Sequence, residues 1–562
     1  MGVLAVLAEG GQTWAHRVRM VRQVLKIAFL VAFAIGFVHF AYQMQELNEG
    51  YYQTLWYYIK ASIALPFEDE IYVDSKFWGT VSNQYFSSKT ISLNTGRVLK
   101  TCEEILPFFW KRISDIGSVS LIISSSVFSS LIFFFILRGS FGKRRKHLSG
   151  KKILPAWRVS LKLKLSLQAS PIRIGSLPLV KETETQHILV SGGTGSGKTN
   201  CFHHILPQIR NSGQKAIIVD TTGVLVSKYF REGKDVLLNP FDERGADWNP
   251  WSECKNDVDF DSLAQSFIPI SHSDRDNYWR VAASTVFSAL LLKYKEEKNI
   301  KIKELSKIIL CEPLSELCKE VQGTKGAAHL DMASEKTAAS IRSVATSFLS
   351  CLEYLKNTEK PFSIRRWVEK GGDDSCLFIA SKVGERSSIN PLISSWCSIA
   401  IRSLIQMEPD VHRRLWFIID ELPSLQKLKD LETLLTEGRK FGACALLALQ
   451  SPAQLEAIYG HETSRVILGN CATRVSFYEQ DPEIAARISK IFGEFEYEDL
   501  QEGVSYGAHE MRDGVSLSKQ QRIRPVVSAS SIQSLRKQEA YVKLPGKQPI
   551  VKLKLKLAKN SL

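Results

Sequence analysis

The apolar run His187-Ile-Leu-Val190 leads into Gly192, Gly193, Thr194, Gly195, Ser196, Gly197, Lys198 and Thr199, which together fit the full phosphate-loop pattern. Such a segment reads as a strand running into a glycine-rich phosphate-binding loop, in keeping with an α/β fold. The glycines let consecutive backbone N–H groups curl around the phosphates of a nucleoside triphosphate. Lys198 supplies a mobile positive charge for the β and γ groups, and Thr199 offers a hydroxyl to Mg²⁺. ATP and Mg²⁺ are therefore the expected cofactors.

Four further runs, 216–219, 376–380, 415–419 and 444–449, are continuously apolar and do not alternate. Such runs fit strands of a parallel sheet covered by helices on both faces. Between the breakers Asn249-Pro250-Trp251 and Lys360-Pro361 the pattern turns helical: Ile341, Ala345, Phe348, Leu352 and Leu355 recur at three- and four-residue spacing, and 277–298 behaves similarly. The expected organisation is a nucleotide-binding domain in two parts, 149–252 and 360–562, with an all-helical domain at 253–359 between them.

The run 415–419 delivers Asp420 and Glu421 to the carboxyl edge of the sheet, where ligands bind in open α/β folds. Asp420 is placed to hold Mg²⁺ through its water shell, and Glu421 to orient and deprotonate the attacking water. An adjacent Asp-Glu pair points to ATPases that use a carboxylate base. Gln450, at the end of the run 444–449, is either a γ-phosphate sensor or a satisfied polar residue at the sheet's end. Arg439, in Glu437-Gly-Arg-Lys-Phe-Gly442, is an ordinary surface arginine in a lone chain; in a ring it can reach the neighbour's γ-phosphate.

Residues 116–137 are almost free of charge and long enough to cross about 30 Å of hydrocarbon as a helix. The earlier run 27–42 carries His39, and Lys26 can snorkel to lengthen its span; it reads as a second crossing, with a signal peptide or an interfacial helix as the alternatives. Helices are expected at about 25–43 and 116–137 within a membrane domain 1–148. Arg17, Arg19, Arg22 and Lys26 precede the first, and Arg138, Lys143, Arg144, Arg145 and Lys146 follow the second. Both termini are then cytoplasmic and 44–115 is an external loop.

Of ten cysteines only Cys102 falls in that loop, so the other nine read as reduced, small core residues; no metal site beyond Mg²⁺ is implied. The net charge of +15 is compatible with a polyanion, although part of it flanks the membrane spans. The ending Val551-Lys-Leu-Lys-Leu-Lys-Leu557 alternates strictly and predicts a half-exposed strand, and Leu161-Lys-Leu-Lys-Leu165 shows the same alternation. Either lysine face can be a solvated strand face or a DNA contact.

Beyond these motifs the chain carries Gly10-Gly-Gln12 with Arg17-Val-Arg-Met20, Leu238-Asn-Pro240, Glu335-Lys-Thr-Ala338 with Ser340-Ile-Arg342, and Asp420-Glu-Leu-Pro423. It continues with Gly438-Arg-Lys-Phe-Gly442, Leu449-Gln-Ser451, Tyr506-Gly-Ala508, Arg512-Asp-Gly-Val-Ser516 and Leu544-Pro-Gly546. In these it resembles, nearly end to end, the TraD-type conjugative coupling proteins of F-like type IV secretion systems. The resemblance implies a bacterial inner-membrane homo-hexamer with a RecA-like P-loop ATPase domain, a parallel-dominated sheet, an inserted membrane-distal all-α domain and a two-helix transmembrane region. It implies a central channel for single-stranded DNA, with a relaxase or relaxosome as cargo and the type IV secretion channel proteins as partners. By motif, Lys198 and Thr199 bind ATP·Mg²⁺, Asp420 and Glu421 serve hydrolysis, and Arg439 resembles the family's proposed arginine finger. One departure leaves relaxosome docking open: F-type relatives commonly extend into a long acidic tail, whereas this sequence ends at Leu562.

The alternatives are an ATP-switched receptor or adaptor for protein substrates, and another membrane-anchored DNA translocase. FtsK-like translocases normally add more spans and a terminal winged helix, neither visible here, and an ABC ATPase would carry a Leu-Ser-Gly-Gly-Gln signature, which does not occur.

Overall fold

The computed structural model describes residues 2–142, 146–270, 274–296, 301–370, 374–505 and 514–558. The sequence motifs at 506–508 and 512–513 and the basic residues 143–145 fall outside them. The chain divides into two compact units, Met1–Arg145 and Lys146–Leu562.

The first unit is built on two long helices, Gly2–Gln45 and Thr95–Gly142. Each contains a stretch long and apolar enough to cross a membrane, Val18–Gln45 and Thr95–Arg138. Only 17% and 6% of the respective apolar windows are buried, which is not how a core helix of a soluble domain behaves. The two helices pack through small residues: Ala28 and Ala32 are buried, and a Cβ added at Gly36 would stand 3.0 Å from Ser124 Cβ. Ser124 Oγ donates to the Ala32 carbonyl at 3.0 Å, and His39 Nδ1 meets Ser120 Oγ at 2.9 Å, so these polar groups of the apolar spans find partners across the pair.

The segment expected as a loop is folded. A helix at Glu49–Ala64, strand β1 (Glu70–Asp74), a helix at Ser75–Ser82 and strand β2 (Thr90–Asn94) form a small layer, with β1 and β2 antiparallel. Its core is Ala61, Ile71, Val73, Phe77, Trp78, Val98 and Cys102. The second long helix begins at Thr95, so the last part of the expected loop is a helical extension of the span.

The second unit contains β3 (Lys146–Gly150), β4 (Ile153–Pro155), β5 (Ala169–Ile174), β6 (Leu177–Val180), β7 (Ile188–Ser191), β8 (Lys215–Asp220) and β9 (Val236–Leu238). After a helical stretch follow β10 (Cys376–Ala380), β11 (Leu415–Ile419), β12 (Ala443–Leu449), β13 (Thr473–Ser476), β14 (Glu494–Ser505), β15 (Gly514–Pro525), β16 (Glu539–Lys543) and β17 (Ile550–Lys554). Ten strands form one sheet in the order β4-β17-β16-β13-β7-β12-β11-β8-β10-β9. From β13 to β9 all neighbours are parallel; β16 runs antiparallel to both β13 and β17. β15, β14 and β3 make a separate three-stranded sheet, and β5 pairs with β6.

The central strands are buried throughout, and successive residues feed opposite faces. Leu415, Phe417 and Ile419 join one apolar cluster, and Trp416 and Ile418 the other. This two-sided burial is why these strands read as unbroken apolar runs. Between β9 and β10 the described residues form helices, Asp257–Phe267, Asp274–Glu296, Ile302–Leu310, Leu314–Glu320 and Glu335–Leu349, and no strand. Their apolar faces, including Ile341 and Ala345, belong to the same contiguous cluster as one face of the sheet.

The two lysine–leucine repeats part company. In β17 Val551 and Leu553 are buried, as is Leu555 just past its end, and the lysines are exposed, with Lys552 pairing to Glu539 at 3.2 Å. Residues Leu161–Leu165, expected as a strand, instead end the helix Ala156–Leu165. A strand would have put Leu161, Leu163 and Leu165 on one face; the helix buries Val159 and Leu163, four residues apart, and leaves Leu161 and Leu165 exposed. The cysteines are all free and eight are buried, but Cys311 is exposed and Cys254 half-buried, so the core reading fails at Cys311.

Candidate nucleotide-binding site

Strand β7 ends at Ser191 and the helix Lys198–Asn211 starts at the motif's lysine, with the loop between them at the carboxyl edge of the sheet. Three of its glycines hold positive φ: Gly192 at 148°, Gly195 at 72° and Gly197 at 126°. A Cβ at Gly192 would also stand 2.7 Å from Phe477 Cβ, so the loop closes against the segment following β13. Gly193 N–H donates to the Tyr478 carbonyl at 2.8 Å, and Gln538, itself at φ 69°, donates its N–H to the Ser196 carbonyl at 2.9 Å.

Lys198 Nζ donates to the carbonyls of Gly192 at 2.7 Å and Gly193 at 3.1 Å. Burial lowers its pKa, opposed by the charges of Glu421, Asp420 and Glu479. Asp420, at the end of β11, is pushed up to about 6, chiefly by burial and then by the charges of Asp220 and Glu421; Lys198 and a hydrogen bond from Thr199 pull the other way. The Thr199 hydroxyl thus lies near enough to the Asp420 carboxylate to favour its ionised form. Burial also raises Glu421, whose Oε2 accepts from Gln450 Nε2 at 3.0 Å while its Oε1 is buried without a partner. Gln450 Oε1 in turn accepts the Thr194 hydroxyl at 3.0 Å. Thr194, Gln450 and Glu421 are therefore joined by hydrogen bonds, and Lys198, Asp420 and Thr199 lie beside them at the same edge.

Arg439 is not part of it. It is exposed in the short turn Gly438–Phe441, ahead of β12, whereas Gln450 follows the same strand. Seven strand residues separate the two edges, about 23 Å at the usual rise. The chain brings its own arginine nowhere near its own phosphate loop.

Sequence reasoning missed four residues here. Asp220 ends β8 fully buried, and its carboxylate accepts the N–H groups of Thr222, Gly223, Leu225 and Val226 at 2.7–3.0 Å, fixing the turn beside Asp420. Its signal was legible: the apolar run 216–219 ends in Asp-Thr-Thr-Gly, a turn-forming sequence. Arg386, whose charge lowers the Glu421 pKa, opens the helix after β10. Glu479 and Gln538 lie far along the chain and carry no local signature.

A phosphate loop and an acidic strand end joined at one edge of a mostly parallel sheet, in a chain with two apolar N-terminal helices, define a membrane-anchored α/β P-loop motor. Residues 171–556 match the family described as type IV secretion-system coupling protein DNA-binding domain. The coupling protein TraD of Escherichia coli (strain K12) is 35% identical over 491 residues, covering 84% of this chain and 67% of TraD. An E. coli conjugal transfer protein TraG is 25% identical over 365 residues, 57% of each chain. The plasmid coupling protein TrwB in complex with ADP and Mg²⁺ superposes with a TM-score of 0.65 at 26% identity, covering 74% of this chain and 95% of TrwB; the unbound monoclinic form gives 0.66. The chain belongs to the type IV secretion-system coupling proteins.

Proposed function

We propose that this protein is an ATP-hydrolysing motor that drives single-stranded DNA, with its attached relaxase, into a type IV secretion channel. It works as a homo-hexamer in the bacterial inner membrane, with both termini cytoplasmic and residues 253–359 as a distinct all-helical domain. The relatives support this reading: TrwB has been captured with ADP and Mg²⁺ and with a non-hydrolysable ATP analogue. The observation that carries it is the linked cluster at the sheet edge, where one amide, Gln450, spans the phosphate loop and the carboxylate Glu421.

Each residue's work follows from its place. The loop N–H groups and Lys198 bind the phosphates. Thr199 and Asp420, near one another at the sheet edge, are suited to hold Mg²⁺, which supplies charge neutralisation on the phosphate oxygens when bound. Glu421, with one oxygen held by Gln450 and the other unpartnered, is oriented to take a proton from an attacking water. Arg439, at the opposite edge, serves a neighbouring subunit's nucleotide. DNA contact is largely sequence-independent and weakens with salt.

Single-stranded DNA added to the purified protein raises its ATP turnover, and Lys198→Ala abolishes both turnover and DNA transfer while membrane insertion is preserved. Turnover indifferent to DNA would instead mark an ATP-switched adaptor, and near-normal transfer by Lys198→Ala would overturn the site.

A further inference from the structure

The helix Ala156–Leu165 is held at the β4 edge of the large sheet by two buried residues, Val159 and Leu163, which share an apolar cluster with Leu553 and Leu555. Its other side is apolar as well. Trp157, Leu161 and Leu165, each four residues from the next, form one stripe and are 63%, 51% and 77% exposed. Leu167, just past the helix, is 85% exposed and sits at φ 56°, in the left-handed region that disfavours a bulky side chain. Gln168 N–H donates to the Leu163 carbonyl at 2.9 Å and holds that turn. An apolar row left in water on an anchored helix marks a contact surface.

The charges around the stripe identify what covers it. Arg158 and Lys162 lie along one side of it and Lys164 along the other, and all three are exposed. No acidic residue occurs between Asp115 and Glu182. A tryptophan and leucines edged by cations suit a helix lying in the headgroup layer of an anionic membrane. Trp157 also follows Arg138, the end of the second apolar span, by 19 residues. Fully extended, that length reaches about 65 Å, and β3 and β4 shorten it, so the helix stays tethered to the bilayer surface at high effective concentration.

We propose that the helix Ala156–Leu165 docks on the anionic phospholipid headgroups of the leaflet from which the second span emerges. Trp157, Leu161, Leu165 and Leu167 insert among the lipids, and Arg158, Lys162 and Lys164 meet the phosphates. Docking fixes the β4 edge of the motor sheet to the membrane, so the motor does not swing freely on the linker after the span. The inference rests on the reading of Thr95–Arg138 as a membrane span.

The test is photocrosslinking of the full chain in lipid nanodiscs, with p-benzoylphenylalanine in place of Leu161 or, in a second variant, of Leu165, and adducts identified by mass spectrometry. In discs of phosphatidylcholine with phosphatidylglycerol both positions capture lipid, at a yield within about threefold of the same probe at Phe133 in the span. The yield falls at least about threefold in pure phosphatidylcholine, and similarly in the mixed discs when Arg158→Gln, Lys162→Gln and Lys164→Gln are combined. Adducts to a second copy of the chain in place of lipid overturn the proposal and mark a subunit contact. No adduct at either position, or a lipid yield indifferent to headgroup charge, overturns it too. If one labelled variant does not fold, the other decides. Lipid captured at neither Phe133 nor Phe134, both exposed on the span, would instead sink the span reading itself.

Discussion

Gln450 Nε2 donates to Glu421 Oε2 at 3.0 Å, and through its own Oε1 the same amide receives the Thr194 hydroxyl. Strand β12, which ends beside Gln450, lies between β7 and β11, so the residue is placed to link the phosphate-loop motif with the carboxylate proposed to activate water. A change at the phosphate loop is then felt at Glu421 through one side chain. Gln450→Ala leaves nucleotide affinity within about threefold and lowers turnover about tenfold to a hundredfold. Equilibrium binding and steady-state hydrolysis on the same preparation check it. A parallel loss of affinity would place Gln450 in binding, not in coupling.

The acidic site holds Asp420 at about 6 against an ordinary value of 3.8. A raised carboxylate pKa means that the proton favours the folded state: stability attributable to protonation is full below about 4 and is lost as pH rises through about 6. Asp420→Asn removes a carboxylate that is strained when ionised, so the variant is more stable than the native protein at pH 8 by about 1–3 kcal/mol, and the gap closes toward pH 4. Thermal unfolding across that range in EDTA shows the trend or refutes it. A constant gap at every pH would mean that charge at Asp420 is not the cause.

The parts of the site that the sequence makes legible share one property: their signal is local. Strands 376–380 and 415–419 coincide with the apolar runs because burial on both faces leaves no polar position to blur the ends. The phosphate loop, Asp420, Glu421 and Gln450 each sit directly after such a run. Glu479 and Gln538 lie at the site only because β13 pairs with β7 and β16 with β13, and long-range pairing leaves no trace in neighbouring residues. Leu161–Leu165 shows the converse: five alternating residues are too few to separate a period of two from one face of a helix, and burial of Val159 decides the outcome from outside the window. The folded layer at 49–94 is hidden for a similar reason, since its core draws on Val98 and Cys102 of the following helix.

Close packing of the two long helices gives a prediction independent of nucleotide. Gly36 sets their approach, with Ser124 Cβ 3.0 Å and the Ser120 carbonyl 3.1 Å from where a Cβ would stand. Gly36→Val forces the pair apart and strains the Ser124–Ala32 hydrogen bond, so the detergent-solubilised protein melts at a lower temperature. Phe33→Val, on the exposed face of the same helix, is the control and melts normally. Equal effects from both changes would mean that the helix pair does not limit stability.

Arg439 and the phosphate loop leave opposite edges of one sheet, so a lone chain cannot complete a site that uses both. If the arginine serves the next subunit, Arg439→Ala binds ATP with near-native affinity but hydrolyses it about 10³-fold more slowly, the lower end of what such arginines contribute. Lys198→Ala is inactive for a different reason, the loss of phosphate binding in its own loop. In a mixed assembly an Arg439→Ala subunit keeps an intact loop, and a Lys198→Ala neighbour brings an intact arginine, so some interfaces are whole. Mixing the two inactive variants therefore restores measurable turnover, with a maximum at intermediate ratios. If no ratio restores it, although the subunits demonstrably co-assemble, Arg439 does not act across an interface.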